Sequence, residues 1–236
     1  NGQTIHTLGL SDGRSLSGKS VLLATGSTPR HLGIPGESEL AGMGVSYCAI
    51  CDGFFFRNKT VVIAGGGNAA IEAAIDMSKI AADVIVVQRS TYRADQVLLD
   101  QVDQLENVKR LEQTQMTRIL GTNNVTGIEV YSKQEDKTYE IETSAVFVEI
   151  GHDANPGPFG DIIARNAAGE IIIDERHQTN LPGVYAAGDV TTEPFKQIII
   201  AAAAGASAAL CMNQDLNRLS AASVDHTMGL SLAERN

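Results

Sequence analysis

Cysteine is scarce in this sequence: three residues in 236, two of them in Cys48-Ala49-Ile50-Cys51. So low a count excludes a secreted scaffold stapled by several disulfides and fits a reducing cytosol. No second Cys-x-x-Cys and no paired histidine motif is present. A tetrahedral zinc site would need two further ligands, and the only other thiol, Cys211, lies in an alanine-rich stretch. Positive charge is also in deficit, with 18 Lys and Arg against 28 Asp and Glu and a formal charge of −10. That balance argues against a general role on nucleic acid or a lipid surface, although local basic pockets for a phosphate are compatible with it. No apolar run approaches the roughly 20 residues that span a bilayer, and the first residues carry no secretory signal pattern. A cytoplasmic protein of one large or two modest domains is expected.

The sequence is organised around the Cys-x-x-Cys and the stretch just beyond it. Val61-Val62-Ile63-Ala64 is a short apolar run suited to a buried parallel strand, and it leads into Gly65-Gly66-Gly67-Asn68-Ala69-Ala70. Residues 69–80 have helical spacing, with Ala70, Ala73, Ala74 and Met77 on one face, and Asp83-Val84-Ile85-Val86-Val87 supplies a second strand at βαβ distance. In such a unit Gly65 permits the tight turn, Gly67 lets backbone approach a pyrophosphate, and Ala70 allows close helix–strand packing. The N–H groups of the helix N-terminus, which Asn68 and Ala69 begin, then face the phosphates. Two thiols spaced to close a small disulfide beside a dinucleotide turn point to electrons passing from a nicotinamide to a disulfide.

Four motifs, in order, carry a family resemblance: Cys48-Ala49-Ile50-Cys51-Asp52-Gly53-Phe54-Phe55, the 65–70 turn, Ile150-Gly151-His152, and Gly183-Val184-Tyr185-Ala186-Ala187-Gly188-Asp189-Val190. From about Gly2 to Leu219 the chain resembles low-molecular-weight thioredoxin reductases and, equally, the flavoprotein part of the alkyl hydroperoxide reductase F subunit. The resemblance implies an α/β fold of two Rossmann-like, three-layer ββα nucleotide-binding domains of the pyridine nucleotide-disulfide oxidoreductase type. Residues 1–39 and 151–219 would be two segments of an FAD domain, 40–150 an NAD(P) domain holding the Cys-x-x-Cys, and 220–236 an unstructured tail. Residues 29–46, rich in Gly and Pro, read as one interdomain linker and 151–160 as the return. Such linkers suit a family in which the nicotinamide domain rotates against the FAD domain. Strands are expected around Ser11–Gly13 as a pair, at Ser20–Ala24, Glu170–Asp174 and Val184–Ala187. A charged helix is expected near Ala94–Leu105, and a hairpin of Val125–Tyr131 with Thr138–Ile141 around a solvated charged loop. The glycine fingerprint for the ADP half of FAD, expected upstream of the first hairpin, is absent. The expectation is a fragment of a longer protein, the alternative being loss of FAD binding.

By resemblance, Cys51 faces the flavin, Cys48 attacks the partner's disulfide, and Asp52 is the acid that moves the proton. Asp52 read alone is equally a helix cap. Thr25, Gly26, Gly188, Asp189, Lys196, Gln197 and Ile198 would hold FAD, with Asp189 accepting from ribityl hydroxyls, and Gly151 lies in a further cofactor motif. The second strand ends in Gln88-Arg89-Ser90-Thr91-Tyr92-Arg93, where no acidic residue takes the NAD role. Arg89 and Arg93 favour NADPH, while Ala94–Leu98, Glu170–Asp174 and Lys196–Ile200 resemble the peroxide-reductase branch, in which NADH is common. The resemblance implies a homodimer that reduces thioredoxin, a thioredoxin-like domain or a peroxiredoxin system. Two other readings stay open: a nucleotide-binding module without turnover, and a zinc-binding interaction protein.

Overall fold

The computed structural model describes the backbone of residues 5–233, and the side chains within that span except at 160 and 220–233. The tail expected over 220–236 lies outside the residues described in full. The chain divides into two compact units, residues 1–28 with 153–236 and residues 29–152. The resemblance had implied dividing points at 39/40 and 150/151.

The first segment opens with an antiparallel hairpin of β1 (His6–Gly9) and β2 (Ser15–Gly18), followed by β3 (Val21–Leu23) and β4 (Ser27–Pro29). Asp12 accepts from the Arg14 backbone and guanidinium and so closes the hairpin turn.

In the middle unit the chain forms β5 (Val45–Ser46), α1 (Ala49–Asp52), β6 (Thr60–Ala64), α2 (Asn68–Ser78), β7 (Asp83–Val87), α3 (Gln96–Val102), β8 (Val108–Leu111), β9 (Thr114–Gly121), β10 (Val125–Ser132), β11 (Lys137–Glu142) and β12 (Ala145–Val148). The helix expected near 94–105 is thus the shorter α3. A parallel five-stranded sheet has the order β5-β12-β6-β7-β8, and β9, β10 and β11 make an antiparallel meander. Side chains alternate along a strand, so one apolar run serves two faces. Val61 and Ile63 pack with Ala70, Ile71, Ala74 and Met77 of α2. Val62 and Ala64 pack with Met116, Ile119, Ile128 and Val130 of the meander. These are the three layers. The strand order reverses between β6 and β12, and in such sheets the crevice at the carboxyl ends of those strands receives ligands.

The glycine- and proline-rich stretch before β5 is built into this unit. Leu40 is buried in the meander-side core. Glu37, 3% exposed, accepts from Leu32 N at 2.9 Å, Gly33 N at 2.7 Å and Tyr47 Oη at 3.1 Å. At Gly36, with φ of +89°, a Cβ would run into the Ile119 carbonyl, so only glycine lets this stretch lie against β9.

The chain passes out through β13 (His152–Ala154), which pairs with β4, and continues to β14 (Val184–Ala186) and α4 (Ile198–Ala233). β14 runs parallel to β3, with Leu23 opposite Ala186. The strand expected over Glu170–Asp174 does not form: Ile171 makes only isolated bridges to Arg165 and Thr191. Side chains compete for its flanks, Asn166 Oδ1 accepting from Ala168 N and Glu170 N, and Asp174 Oδ1 from Arg176 N and Gln178 N.

Helix α4 corrects the expectation about apolar runs, because Ile198–Leu219 is long and apolar enough, by length and composition alone, to cross a membrane. Alanine makes up much of that stretch and is easily overlooked as an apolar run. Ala204 and Ala208 bury against Ala187 and Leu22, and Asp215 accepts from Tyr185 Oη at 2.7 Å, Gln178 Nε2 at 2.7 Å and Arg176 at 2.8 Å. Those donors, Tyr185 first, hold the Asp215 carboxyl below its ordinary range.

Phe147 of β12 is fully buried and meets Phe56 edge-on, with ring centroids 5.8 Å apart. Phe147→Ala should cost about 3–5 kcal/mol, read as a lower urea midpoint of the middle unit.

Candidate active site

The Cys-x-x-Cys opens α1, and its cysteines are joined as a disulfide with Cα atoms 5.3 Å apart. Cys48 is the N-cap, its sulfur accepting from Cys51 N at 3.2 Å. Asp52 stands at the N-cap position of the 3-10 turn Gly53–Phe56, but its side chain makes no cap bond there. Its carboxylate accepts from the Ser46 hydroxyl at 2.7 Å, and the same oxygen of Ser46 accepts from Cys48 N at 3.1 Å. Ser46, 8% exposed, therefore ties the acid to the first cysteine's backbone. Ile50, between the cysteines in sequence, and Phe54 and Phe55 just after them are exposed apolar side chains, 67% or more accessible.

Below α1 lies Glu149, just past the end of β12. Its Oε1 accepts from Ala49 N at 3.2 Å, and its backbone N donates to Ala64 O at 2.8 Å. At Gly65, φ +154°, a Cβ would strike the Glu149 carbonyl. One residue thus touches both the disulfide helix and the glycine turn. Burial, only partly offset by the Ala49 N–H, pushes the Glu149 carboxyl above its ordinary 4.5.

The glycine turn fits a pyrophosphate. Gly67 is the N-cap of α2, makes no side-chain cap bond, and has nothing within 4 Å of where a Cβ would stand. The first N–H groups of α2 are accordingly left for an anion. Asn68 is engaged sideways: Nδ2 donates to Asp95 Oδ2 at 2.9 Å, and Oδ1 accepts from Asp95 N at 2.8 Å. Ala69 beside it is exposed. Arg93 N donates to Gly66 O at 2.7 Å, so the segment after β7 folds onto the turn and brings Arg89 and Arg93, both exposed, to the same edge. Gln88, buried beneath Gly66, holds that segment by donating to Thr91 O and accepting from Arg89 N. Tyr92 anchors it, its buried hydroxyl donating to Val86 O at 2.8 Å. The charged loop 132–137 does more than meet solvent, since Lys133 Nζ donates to Arg89 O at 3.3 Å. Gly151 follows two residues after Glu149, its carbonyl accepting from Arg30 N.

In the other unit, the residues expected to hold FAD converge. Because β3 and β14 run parallel and in register, Thr25 and Gly26 leave one strand where Gly188 and Asp189 leave its neighbour. Thr25 donates to the Asn155 carbonyl. Gly188, φ +76°, carries the first turns of α4 close above it, a Cβ there meeting Ala201 at 3.3 Å. Gln197 and Ile198 begin that helix, and Ile198 is 89% exposed. Lys196 Nζ donates to Thr191 O at 2.6 Å and pairs with Glu170 at 2.8 Å. Two glycines with positive φ at adjacent strand ends under a helix start are a cradle that side chains would fill, and the residues fit a flavin nucleotide.

Ser46 and Glu149 escaped the sequence reading, and Gln88 was read only as a position in the motif that ends the second strand. A lone carboxylate ending the buried run Ala145–Val148 was the available signal for Glu149. For Ser46 no local pattern gave one.

The sequence pattern described as pyridine nucleotide-disulphide oxidoreductase matches residues 2–207. The chain is 42% identical over 219 residues to the F subunit of alkyl hydroperoxide reductase from Pseudomonas putida, covering 92% of this chain and 42% of that protein. A protein from Ferdinandcohnia aciditolerans named NADH dehydrogenase is 42% identical over 202 residues, 85% of this chain and 39% of that one. The chain therefore spans about two fifths of these curated relatives. Thioredoxin reductase from Streptococcus pyogenes superposes with a TM-score of 0.83 at 32% identity, over 92% of this chain and 73% of that one. Thioredoxin reductase from Giardia duodenalis gives 0.82 at 28% identity, over 90% and 74%.

A carboxyl whose pKa is raised in the folded state binds its proton more tightly there than in the unfolded chain. Its contribution to stability is therefore greatest below pH 4.5 and is lost as pH rises through the folded value. Glu149→Gln should unfold at higher urea than wild type at pH 7, and the gain should vanish as pH falls towards 4.5.

Proposed function

The chain belongs to the pyridine nucleotide-disulphide oxidoreductase family, and from that premise we propose that it is the nicotinamide- and disulfide-bearing part of a flavoprotein disulfide reductase. Electrons pass from NAD(P)H to the Cys48–Cys51 disulfide and on to a thioredoxin, a thioredoxin-like domain or a peroxiredoxin system, in the cytoplasm and in a homodimer. The single observation that carries this is the disulfide and the open glycine turn in one unit, joined through Glu149.

Each residue has a stated task in this reading. The Gly65–Gly67 turn with the N–H groups of Asn68 and Ala69 binds the pyrophosphate, and Arg89 and Arg93 hold a 2′-phosphate, which favours NADPH over NADH. Thr25, Gly26, Gly188, Asp189, Lys196, Gln197 and Ile198 hold FAD, with Gly151 in the chain's return to that unit. A flavin held there would supply two-electron transfer between nicotinamide and disulfide, and Cys51 would be the cysteine on its side. Cys48, as thiolate, attacks the partner's disulfide and forms a mixed disulfide; Cys51 then displaces the partner, which leaves as a dithiol while Cys48–Cys51 closes again. Asp52, held by Ser46, passes the proton between departing sulfur and solvent. The exposed Ile50, Phe54 and Phe55 give the incoming protein an apolar face beside the reacting sulfur.

The visible spectrum of the purified chain, before and after NADPH under nitrogen, tests the reading. Bound flavin that bleaches supports it, and a protein that stays colourless with added FAD favours a nucleotide-binding module without turnover. In a parent protein that turns over, Cys51→Ser should abolish disulfide reduction. Arg89→Ala should weaken binding of 2′,5′-ADP about ten- to a hundredfold, as expected for a charged hydrogen bond of roughly 1.5–3 kcal/mol, and leave that of ADP unchanged by calorimetry.

A further inference from the structure

The proposed electron path makes no use of Glu149, although its carboxyl is the ionisable group bonded to the residue between the two cysteines. Among the described residues its one hydrogen-bond partner is Ala49 N, at 3.2 Å, and no cation pairs with it. A half-buried carboxyl left with one backbone N–H is costly to keep and commonly marks a functional site. Here the N–H belongs to the first residue of the disulfide helix.

We propose that Glu149 is a positioning residue that sets how readily the Cys48–Cys51 disulfide accepts electrons, by binding a proton when the neighbouring thiolate forms. The inference rests on the disulfide reductase reading. In the oxidised protein the Glu149 carboxylate accepts from Ala49 N. Reduction breaks the S–S bond as two electrons enter, from NAD(P)H in the proposed cycle. One sulfur takes a proton and becomes a thiol, and the other remains a thiolate at the start of α1. Thiolate and carboxylate are then two negative charges at the first turn of α1, where Cys48 Sγ accepts from Cys51 N and Glu149 from Ala49 N, and they repel one another. Glu149 relieves this by taking a second proton from solvent. The balance is a disulfide, a carboxylate, two electrons and two protons giving a thiol, a thiolate and a carboxylic acid.

Other charges near Glu149 do not take its place. From α1 the ionisable side chains are Cys48, Cys51 and Asp52, and Asp52 is bonded to Ser46. The glycine turn at 65–67 brings none, and Ser46 of β5 and the strand Ala145–Val148 bring none. Because the Glu149 carbonyl fills the space that Gly65 leaves open, the residue that tunes the disulfide also lines the nucleotide turn.

The test uses the 236-residue chain equilibrated with dithiothreitol redox buffers at pH 7, wild type against Glu149→Gln. The glutamine keeps an oxygen for Ala49 N and removes the charge. The expected result is an equilibrium about tenfold further towards the dithiol, a midpoint roughly 30 mV higher for this two-electron couple, with a lower thiolate pKa by ultraviolet absorbance. An unchanged equilibrium and thiolate pKa in a folded variant would overturn the proposal. Should the variant not fold, carbon-13 carboxyl NMR of the wild type decides: Glu149 titrates at higher pH in the reduced than in the oxidised protein, or the idea fails. A Cys48–Cys51 pair that cannot be reduced reversibly in either protein would instead bring down the reductase reading on which this rests.

Discussion

Burial of the central strands on both faces is the constraint on which the rest of the middle unit depends. Every side chain of Val61–Ala64 and Ala145–Val148 is enclosed, one alternation by α2 and the other by the meander. No polar group can be carried inside such a run without a partner. Polar chemistry is therefore displaced to the carboxyl ends, where Gly65 and Glu149 stand side by side at the reversal of strand order. The disulfide, the phosphate turn and the half-buried acid are neighbours because the sheet leaves them one edge to share.

The same logic explains what could be read beforehand. Apolar runs, their lengths and the glycine spacing are local signals, and they gave the βαβ unit, the 125–141 hairpin and the β3 and β14 strands close to their observed places. What failed depended on competition with distant or side-chain partners. Glu170–Asp174 has the composition of a strand, but Asn166 takes the Glu170 N–H before Ile171, and Asp174 folds the chain after it by accepting from Arg176 N and Gln178 N. The 29–46 stretch has the composition of a linker, yet Glu37 and Leu40 find partners inside the middle unit. Residue type was visible in both cases, and the partner was not.

At the site, the cysteines, the glycines and the arginines could be named because their spacing has a local meaning. The tasks of Ser46, Gln88 and Glu149 could not, because each matters only through contact with a segment brought to it by folding: Asp52 for Ser46, the glycine turn for Gln88, the disulfide helix for Glu149. Supporting groups of this kind orient the reacting ones, and a linear reading finds the reacting ones first.

Helix α4 raises a different question, that of axial register. A face made of alanines is nearly uniform along its length, so packing alone would let such a helix slide by a turn at small cost. Asp215 removes that freedom, since Tyr185, Gln178 and Arg176 converge on one carboxylate. Ile198 lies 17 residues before it, about 25 Å along a helix at 1.5 Å per residue. A pin halfway along α4 thereby fixes where its first turn stands, and the position of Ala201 over Gly188 is decided far from the cradle that this turn helps to close.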